Sequence, residues 1–352
     1  MEKNVKQVVG IDVAQNELVS CLGKLDEKFL TTITSRKTFS NTKAGFEKMI
    51  TWVEKLTTKE VALHFVMEAT GVYHQLLANY LYNKGYHLSI VLPNKISNYF
   101  RTLSVKTVTD ATMAEVIMQF GLERKLDNWE APKDVYRNLQ QLTRERSQLT
   151  DEKVVIKNQL HAEEAQAYTN KKSIQRSKKR LALITKQITE IEVELKTLIA
   201  EDAEVKTIVL LLCSIPGIGM LTAATILGET NGFDLIRNKR QLTSYAGLDV
   251  KEKQSGTSVK GKPRISKKGN KHLRKCMHLP ALSAIKHDGR WKAIFTRIVS
   301  KQGIKMKAAV AIQRKLLEMT YTIFKTQKPY DKNYFISKIE QEVEIENRVA
   351  VV

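Results

Sequence analysis

Two carboxylates stand where short apolar strands are expected to end. Asp12 follows the apolar run VVGI, and Glu68 follows the run FVM at a strand-to-helix turn. A carboxylate in an apolar strand costs several kcal/mol unless it is paired with a cation or bound to a metal. Both acids are therefore candidate metal ligands, and the alternative for each is a turn or capping residue.

A third acid, Asp110, begins the helix-like sequence DATMAEVI. Carboxylate oxygens suit Mg²⁺, and two such ions about 4 Å apart stabilise the attacking and leaving oxygens of phosphoryl transfer. Ribonuclease-H-like folds build a two-Mg²⁺ site from one acid on a first strand and another at the end of a later strand. The alternative for Asp110 is a helix N-cap, a role that Thr109 could also fill.

A basic segment at residues 251–275 carries ten Lys or Arg residues against one acid, Glu252. Within it, Ser255 precedes Gly256 and is either a phosphate contact, a nucleophile or a solvated loop serine, with Ser258 as its nearest competitor. A serine hydroxyl is a weak nucleophile until a base or a metal activates it, and no obvious base lies in the segment. The cations expected to hold nucleic-acid backbone are Lys260, Lys262, Arg264, Lys267, Lys268, Lys271, Arg274 and Lys275.

The formal net charge of +21 over 352 residues exceeds what solubility requires and indicates a polyanionic partner. Nucleic acid is the expected partner and a membrane surface is the alternative, although the sequence has no apolar stretch of about 18 residues. We therefore expect a soluble cytoplasmic protein without a membrane association. Cys21, Cys213 and Cys276 are odd in number and far apart, a pattern that predicts neither a disulfide framework nor a cysteine zinc site.

The elements that would position the acids form an α/β domain at residues 1–131, because short apolar runs alternate there with helical patterns. Strands are expected at 8–13, 61–67 and 87–92, with 18–22 as a hairpin partner of the first. Helices are expected at 42–56, behind Asn41 as a cap, and at 73–84.

Residues 132–204 predict a long antiparallel coiled-coil hairpin, since leucines and isoleucines repeat at heptad spacing in two stretches of about 30 residues. Such an arm can join domains, pair subunits or lie along a nucleic acid.

Residues 205–328 predict a mostly helical domain, followed by a tail at 329–352. The helical domain contains the sequence SIPGIG (214–219), which is similar to a helix-hairpin-helix turn that offers backbone N–H groups to a phosphate. The alternative is an ordinary turn between core helices. Gly217 and Gly219 are both expected to permit close backbone approach.

These motifs together resemble the DEDD-type transposases of the insertion-sequence one-ten kind, which are related to the Piv DNA invertases. The resemblance lies in GIDV, MEATG, the segment from Lys106 to Ile117, IPGIG, YAGL and ISKKGNKHLR, which occur in the expected order along nearly the whole chain. It implies a RuvC-like N-terminal domain, a coiled-coil linker and a transposase domain with a serine nucleophile.

By matched motif, Asp12, Glu68 and Asp110 would be metal-binding acids, and Ser255 would form a covalent link to DNA. The resemblance further implies Mg²⁺ as the cofactor, a homodimer or homotetramer, a guide RNA in some members, acids and serine from different subunits, and a bacterial protein acting at the nucleoid.

The sequence departs from the family at Met113, where a fourth acid usually stands. A thioether is a poor Mg²⁺ ligand, and Glu115 is about 200° further round a helix. Either three acids suffice with water or substrate oxygens, or catalysis is weakened. Two other functions therefore stay open: a RuvC-like junction endonuclease without a covalent intermediate, and a nucleic-acid-binding protein without catalysis.

Overall fold

The computed structural model describes residues 4–69, 71–103, 109–234, 236–252, 254–255, 259–261 and 263–333. The chain forms two compact units, residues 1–131 and 132–352. Among the described helices, none combines the length and apolar character that crossing a membrane requires.

The N-terminal unit is built on a five-stranded mixed sheet. Its strands are β1 (Asn4–Val13), β2 (Glu17–Asp26), β3 (Thr31–Ser40), β4 (Leu63–Glu68) and β5 (His87–Val91), in the spatial order β3-β2-β1-β4-β5. Strand β2 is antiparallel to β1 and β3, whereas β4 is parallel to β1 and β5. The carboxyl ends of β1, β4 and β5 therefore lie at one edge, and the α/β expectation is confirmed.

Helices cover both faces of this sheet. Helices α1 (Lys43–Glu54) and α2 (His74–Asn83) pack on one face, over a core that includes Val9 and Ile11 of β1. Helices α3 (Pro93–Phe100) and α4 (Asp110–Glu123) pack on the other, over a core that includes Val8. The alternation of side chains along β1 accounts for this division between two faces.

Helix α4 lies on β1 in backbone contact. A Cβ atom on Gly10 would fall 2.3 Å from the carbonyl oxygen of Ala114 and 2.2 Å from the amide nitrogen of Met118. At the far end of the helix, a Cβ on Gly121 would fall 2.7 Å from Cγ1 of Val8. Two glycines thus allow the helix to approach the strand more closely than side chains would permit.

The carboxyl end of α4 is held by a partly buried lysine. Lys6 Nζ donates to the carbonyl oxygens of Gly121, Leu122 and Arg124 at 2.5, 3.1 and 2.8 Å. The carbonyls of Gly121 and Leu122 belong to the last turn of the helix, where intrahelical partners run out, and Arg124 is the residue that follows it.

Two features of this unit differ from the expectations. Strand β3 was not expected, because its sequence TTITSRKTFS is mostly polar and nearly all of it is exposed. It forms as an edge strand paired with β2 from Glu17↔Ser40 to Leu25↔Thr31. The prediction that Asn41 caps α1 is wrong, because Thr42 is the N-cap and its side chain accepts a hydrogen bond from the Gly45 amide.

The second unit begins with two 31-residue helices, α5 (Asp134–Glu164) and α6 (Lys171–Glu201). They run antiparallel. Arg146 of α5 donates a hydrogen bond to Glu192 of α6, and Ser173 near the start of α6 donates one to Glu163 near the end of α5. Their distal contact is apolar and is formed by Leu149, Ile156, Leu181, Ile184 and Ile188. A coiled-coil supercoil remains a prediction.

The rest of this unit is mostly helical, as expected. Its helices are α7 (Ala203–Cys213), α8 (Met220–Thr230), α9 (Lys239–Tyr245), α10 (Lys271–Cys276), α11 (His278–His287), α12 (Gly289–Gln302) and α13 (Lys305–Thr326). Two short ribbons precede α10: β6 (Val250–Lys251) with β9 (Arg264–Ile265), and β7 (Gln254–Ser255) with β8 (Val259–Lys260). The domain boundaries predicted between residues 204 and 205 and between residues 328 and 329 remain predictions.

The turn between α7 and α8 is tight at only one of its glycines. Gly217 has φ +86°, and a Cβ there would lie 2.3 Å from the Pro280 carbonyl oxygen. Among the described residues, no atom lies within 4 Å of the position that a Cβ on Gly219 would take, so Gly219 makes no close approach within the fold, and its approach to a phosphate remains a prediction. The helix-hairpin-helix interpretation remains a prediction.

We predict that Gly10→Ala destabilises the N-terminal unit by about 1–3 kcal/mol, because the added methyl group would overlap the backbone of α4. Hydrogen exchange of the β1 and β4 amides measures the free energy of opening. Gly289→Ala is the control, since a Cβ there meets no atom of the described residues within 4 Å. Unchanged protection in Gly10→Ala would contradict the close packing.

Candidate active site

Asp12 and Glu68 lie side by side at the carboxyl edge of the sheet. The last pair of the β1–β4 ladder joins Ile11 to Met67, so the acids are the next residues on adjoining parallel strands. Ile11 and Met67 both face the core under α1 and α2. Because side chains alternate along a strand, Asp12 and Glu68 both face the side of the sheet that α4 covers.

Asp110 reaches the same place from above the sheet. It is the first residue of α4, and Thr109 is the N-cap, accepting from the Thr112 amide. Ala114, one turn after Asp110, contacts Gly10, two residues before Asp12. The docking of α4 on β1 therefore sets Asp110 over Asp12, and capping does not account for the Asp110 carboxylate.

The charges of the three acids act on one another. Burial raises the pKa of Asp12, and the neighbouring Asp110 carboxylate raises it further, whereas a hydrogen bond from the Val13 backbone lowers it. Burial likewise raises the pKa of Glu68, and Asp12 adds to the effect. Asp12 is thus the centre of a cluster of repelling carboxylates.

This donor set fits a hard divalent cation. Carboxylate oxygens are the ligands that Mg²⁺ prefers. A cation would offset the burial and the mutual repulsion that together raise the pKa of Asp12 and Glu68. In the part of the chain that the structure describes, no group of three His, Cys, Asp or Glu side chains converges closely enough to hold a metal ion. Binding therefore requires the three side chains to turn toward a common point.

The position of the missing fourth acid is apolar. Met113 is partly buried and packs against the α3–α4 core, as do Phe100 and Leu103. Glu115 lies elsewhere on α4, where Arg36 of β3 pairs with it at 2.8 Å. Neither residue supplements the three acids.

The structure adds Asn41, which sequence reasoning treated as a helix cap. Its side-chain Nδ2 donates to the carbonyl oxygens of Ala14 and Tyr73, which lie in the loops that follow Asp12 and Glu68. The signal in the sequence was weak: Asn41 directly precedes Thr42, which is itself a good capping residue.

Ser255 lies in strand β7, with its backbone paired to Val259 of β8. The side chains of Ser255 and Lys260 lie outside the described residues, as do Gly256, Ser258 and Lys262. The assignment of Ser255 as a nucleophile therefore stays a prediction.

The remaining expected nucleic-acid contacts divide into two groups. The first group is exposed: Arg264, Lys267, Lys268 and Lys271. The second group binds protein groups, although Lys275 in it is also exposed. Arg274 Nη1 donates to the Ala246 carbonyl oxygen at 2.8 Å, and Lys275 Nζ pairs with Asp151 at 2.6 Å.

A buried carboxylate organises the start of α10, and sequence reasoning missed it. Glu229, whose side chain is 0% exposed, accepts from Arg144 Nε at 2.6 Å and Nη2 at 2.7 Å. It also accepts from Asn270 Nδ2 at 2.6 Å. Asn270 in turn caps α10 through the amides of His272 and Leu273. This ion pair raises the pKa of Arg144 and fixes the helix that carries Lys271.

Comparison with known proteins gives two family matches. A DEDD transposase model of the IS110 type matches residues 9–163, and the model of the transposase IS116/IS110/IS902 family matches residues 209–296.

Individual proteins are also similar. A pilin gene-inverting protein of Moraxella lacunata is 28% identical over 93% of this chain and 98% of its own. An uncharacterised 43.6 kDa protein of the insertion element IS110 from Streptomyces coelicolor is 26% identical over 38% of this chain and 32% of its own. Among solved structures, T. thermophilus RuvC in complex with a Holliday junction substrate is 6% identical and covers 35% of this chain and 99% of its own, with a TM-score of 0.26.

We predict that Asp12→Asn makes the metal-free N-terminal unit more stable at neutral pH. In the folded unit the pKa of Asp12 and that of Glu68 are raised above their ordinary values of 3.8 and 4.5. The contribution of these two carboxyl groups to stability is therefore greatest below these values and is lost as pH rises through the raised ones. Thermal unfolding in a chelating buffer, from about pH 4 to pH 7, measures the difference. The stability gained by Asp12→Asn should grow with pH. Glu17→Gln serves as the control. A loss of stability in Asp12→Asn at neutral pH would refute the repulsive cluster.

We predict that Glu229→Ala destabilises the second unit by about 3 kcal/mol, since it leaves the Arg144 guanidinium without its partner. Chemical denaturation measures the change. Glu164→Ala breaks the exposed pair with Lys178 and should cost no more than about 1 kcal/mol. Equal effects of the two substitutions would show that burial of Glu229 is not decisive.

Proposed function

Because the chain belongs to the IS110-type family of DEDD transposases, we propose that it excises and inserts a mobile element through a serine nucleophile and Mg²⁺-binding acids. As a member of this family it is a DNA-cleaving recombinase. The observation that carries the proposal is the meeting of Asp12, Glu68 and Asp110, from two strand ends and one helix start, at the carboxyl edge of the sheet.

In this proposal the three acids hold two Mg²⁺ ions, with water or substrate oxygens in place of a fourth acid. Such ions polarise a phosphodiester and stabilise the oxygens that attack and leave. Asp12 interacts electrostatically with both of the other acids and would help to hold the ions. The apolar packing of Met113 favours a three-acid site over a rearranged four-acid site.

Ser255 is the proposed nucleophile. Its Oγ attacks phosphorus and loses its proton, one P–O bond of the phosphodiester breaks, and the leaving oxygen gains a proton. A new DNA hydroxyl reverses the step and releases the serine, so the number of phosphodiester bonds is conserved. Four exposed cations, Arg264, Lys267, Lys268 and Lys271, accompany it on the same basic segment and would bind the DNA backbone.

The partners belong to the same proposal. The substrates are the element ends and a target DNA, chosen with a structured guide RNA that pairs with both. A homodimer or homotetramer would combine the acids of one subunit with the serine of another, at the bacterial nucleoid. The similarity to pilin gene-inverting proteins supports site-specific recombination rather than general nuclease activity.

The deciding experiment traps a protein–DNA adduct that survives denaturation. The full chain is incubated with Mg²⁺, DNA that carries the element ends, and RNA transcribed from the flanking sequence. We expect an adduct with the wild type and with Ser258→Ala, and none with Ser255→Ala or Asp12→Asn.

Two results would overturn the assignment. An adduct that survives Ser255→Ala would place the nucleophile elsewhere. Mg²⁺-dependent cleavage without an adduct, unaffected by Ser255→Ala, would favour a junction endonuclease in which water attacks the phosphodiester.

We predict that Lys268→Gln and Lys275→Gln weaken DNA binding to different degrees. Lys268 is exposed, so its loss should lower the slope of log affinity against log salt by about 1. Lys275 is held by Asp151 and Ser147, and its loss should change the slope less. Affinity measured over a salt series tests this, and equal slopes would show that Lys275 leaves Asp151 to bind DNA.

A further inference from the structure

Asn41 lies between β3 and α1 and is 9% exposed. Its Nδ2 donates to the carbonyl oxygen of Ala14 at 2.9 Å and to that of Tyr73 at 3.2 Å. Carbonyl oxygens only accept hydrogen bonds, so these two contacts determine which side-chain atom is nitrogen. Both donors of the amide are therefore committed to the backbone of two separate loops.

These two loops are the ones that carry the acids. Ala14 is two residues beyond Asp12, and Tyr73 is five residues beyond Glu68. The described β1–β4 ladder ends at Ile11↔Met67, one residue before each acid. The pairing of the strands thus holds the acids from one side, and the Asn41 amide ties the loops together on the other.

The main chain of Asn41 adds a third tie to the same edge. Its amide nitrogen donates to the Asn16 carbonyl oxygen at 2.9 Å, in the turn between β1 and β2. Thr42 provides the cap of α1, so the Asn41 side chain has no capping role.

The burial of this amide is costly in one respect. Oδ1 of Asn41 has no hydrogen-bond partner among the described residues, and a buried polar atom without a partner is unfavourable. A serine or threonine hydroxyl has one hydrogen to donate, whereas a carboxamide has two on one nitrogen. An amide at this position is explained by the need to bond both loops at once.

The acids give the reason for such a tie. Asp12 and Glu68 directly follow the last pair of the β1–β4 ladder, so two like charges stand side by side and repel one another when no cation lies between them. Repulsion favours separation of the two strand ends. The hydrogen bonds of Asn41 oppose that separation.

The geometry points to Asn41 as a positioning residue that sets the spacing of Asp12 and Glu68 for a divalent cation. The inference rests on the proposed function in that these acids must bind the cation. Residues that orient metal ligands typically contribute about 10–100-fold to metal affinity.

The test measures Mn²⁺ binding to the full chain by electron paramagnetic resonance, without DNA, and the Mg²⁺ concentration for half-maximal adduct formation with DNA. Asn41→Leu keeps the branched shape of the side chain and removes both donors, and Asn41→Ala removes the branched group and the donors together. The matched control is Asn79→Ala, because Asn79 Nδ2 donates to the Gln75 carbonyl oxygen within α2.

We expect both Asn41 variants to bind Mn²⁺ about 10-fold or more weakly, with the maximal rate recovered at high Mg²⁺ concentration. Asn79→Ala should bind as the wild type does. A residue that only supports folding would lower the unfolding temperature in a chelating buffer and leave the Mn²⁺ affinity of the folded protein unchanged.

The outcomes separate the two proposals. If the wild type binds no Mn²⁺, or binds it as tightly after Asp12→Asn, the proposed metal site fails. If the wild type binds Mn²⁺ through Asp12 while Asn41→Leu binds it equally well, the positioning role of Asn41 is overturned and the proposed function stands. A defect in Asn41→Ala that Asn41→Leu does not share assigns Asn41 to packing and also overturns the inference.

Discussion

Helix α4 lies in backbone contact with β1, and the acidic cluster depends on that contact. Gly10 removes the side chain that would separate the two elements. With the helix at this distance, its first residue, Asp110, falls over Asp12 at the end of the strand. Lys6 holds the opposite end of α4 through three carbonyl groups, so the helix is held near both of its ends. Three acids that are distant in sequence thereby come together without any attraction among themselves.

Electrostatics has opposite roles in the two units. In the N-terminal unit burial and, second to it, the neighbouring carboxylates raise the pKa of Asp12 and Glu68, and packing and backbone hydrogen bonds must hold the acids against repulsion. In the second unit the buried Glu229 is compensated by Arg144 and Asn270, and it orders α10. An uncompensated acidic cluster is typical of a site that binds a cation, whereas a compensated buried carboxylate is structural.

The same distinction applies to the basic segment. The +21 charge indicates a polyanionic partner, but charge alone does not say which cations reach it. Arg274 and Lys275 belong to the same run as Lys267 and Lys268, yet they bind a carbonyl group and Asp151 in the fold. Neighbours in a charged sequence therefore have different roles once tertiary contacts engage some of them.

The sequence alone predicted the strands that end at Asp12 and Glu68, because an apolar run precedes each acid. The cost of a carboxylate in an apolar strand identified both acids as candidate ligands. The order of the motifs likewise indicated the IS110-type family, in agreement with the two family matches. Tertiary structure decided what local pattern does not contain: the polar edge strand β3, the two-loop contact of Asn41 and the pairing of Glu229 with Arg144. Each of these depends on contacts between residues far apart in the chain. Periodicity and local propensity report only on a residue and its near neighbours, so such contacts are absent from them until the chain has folded.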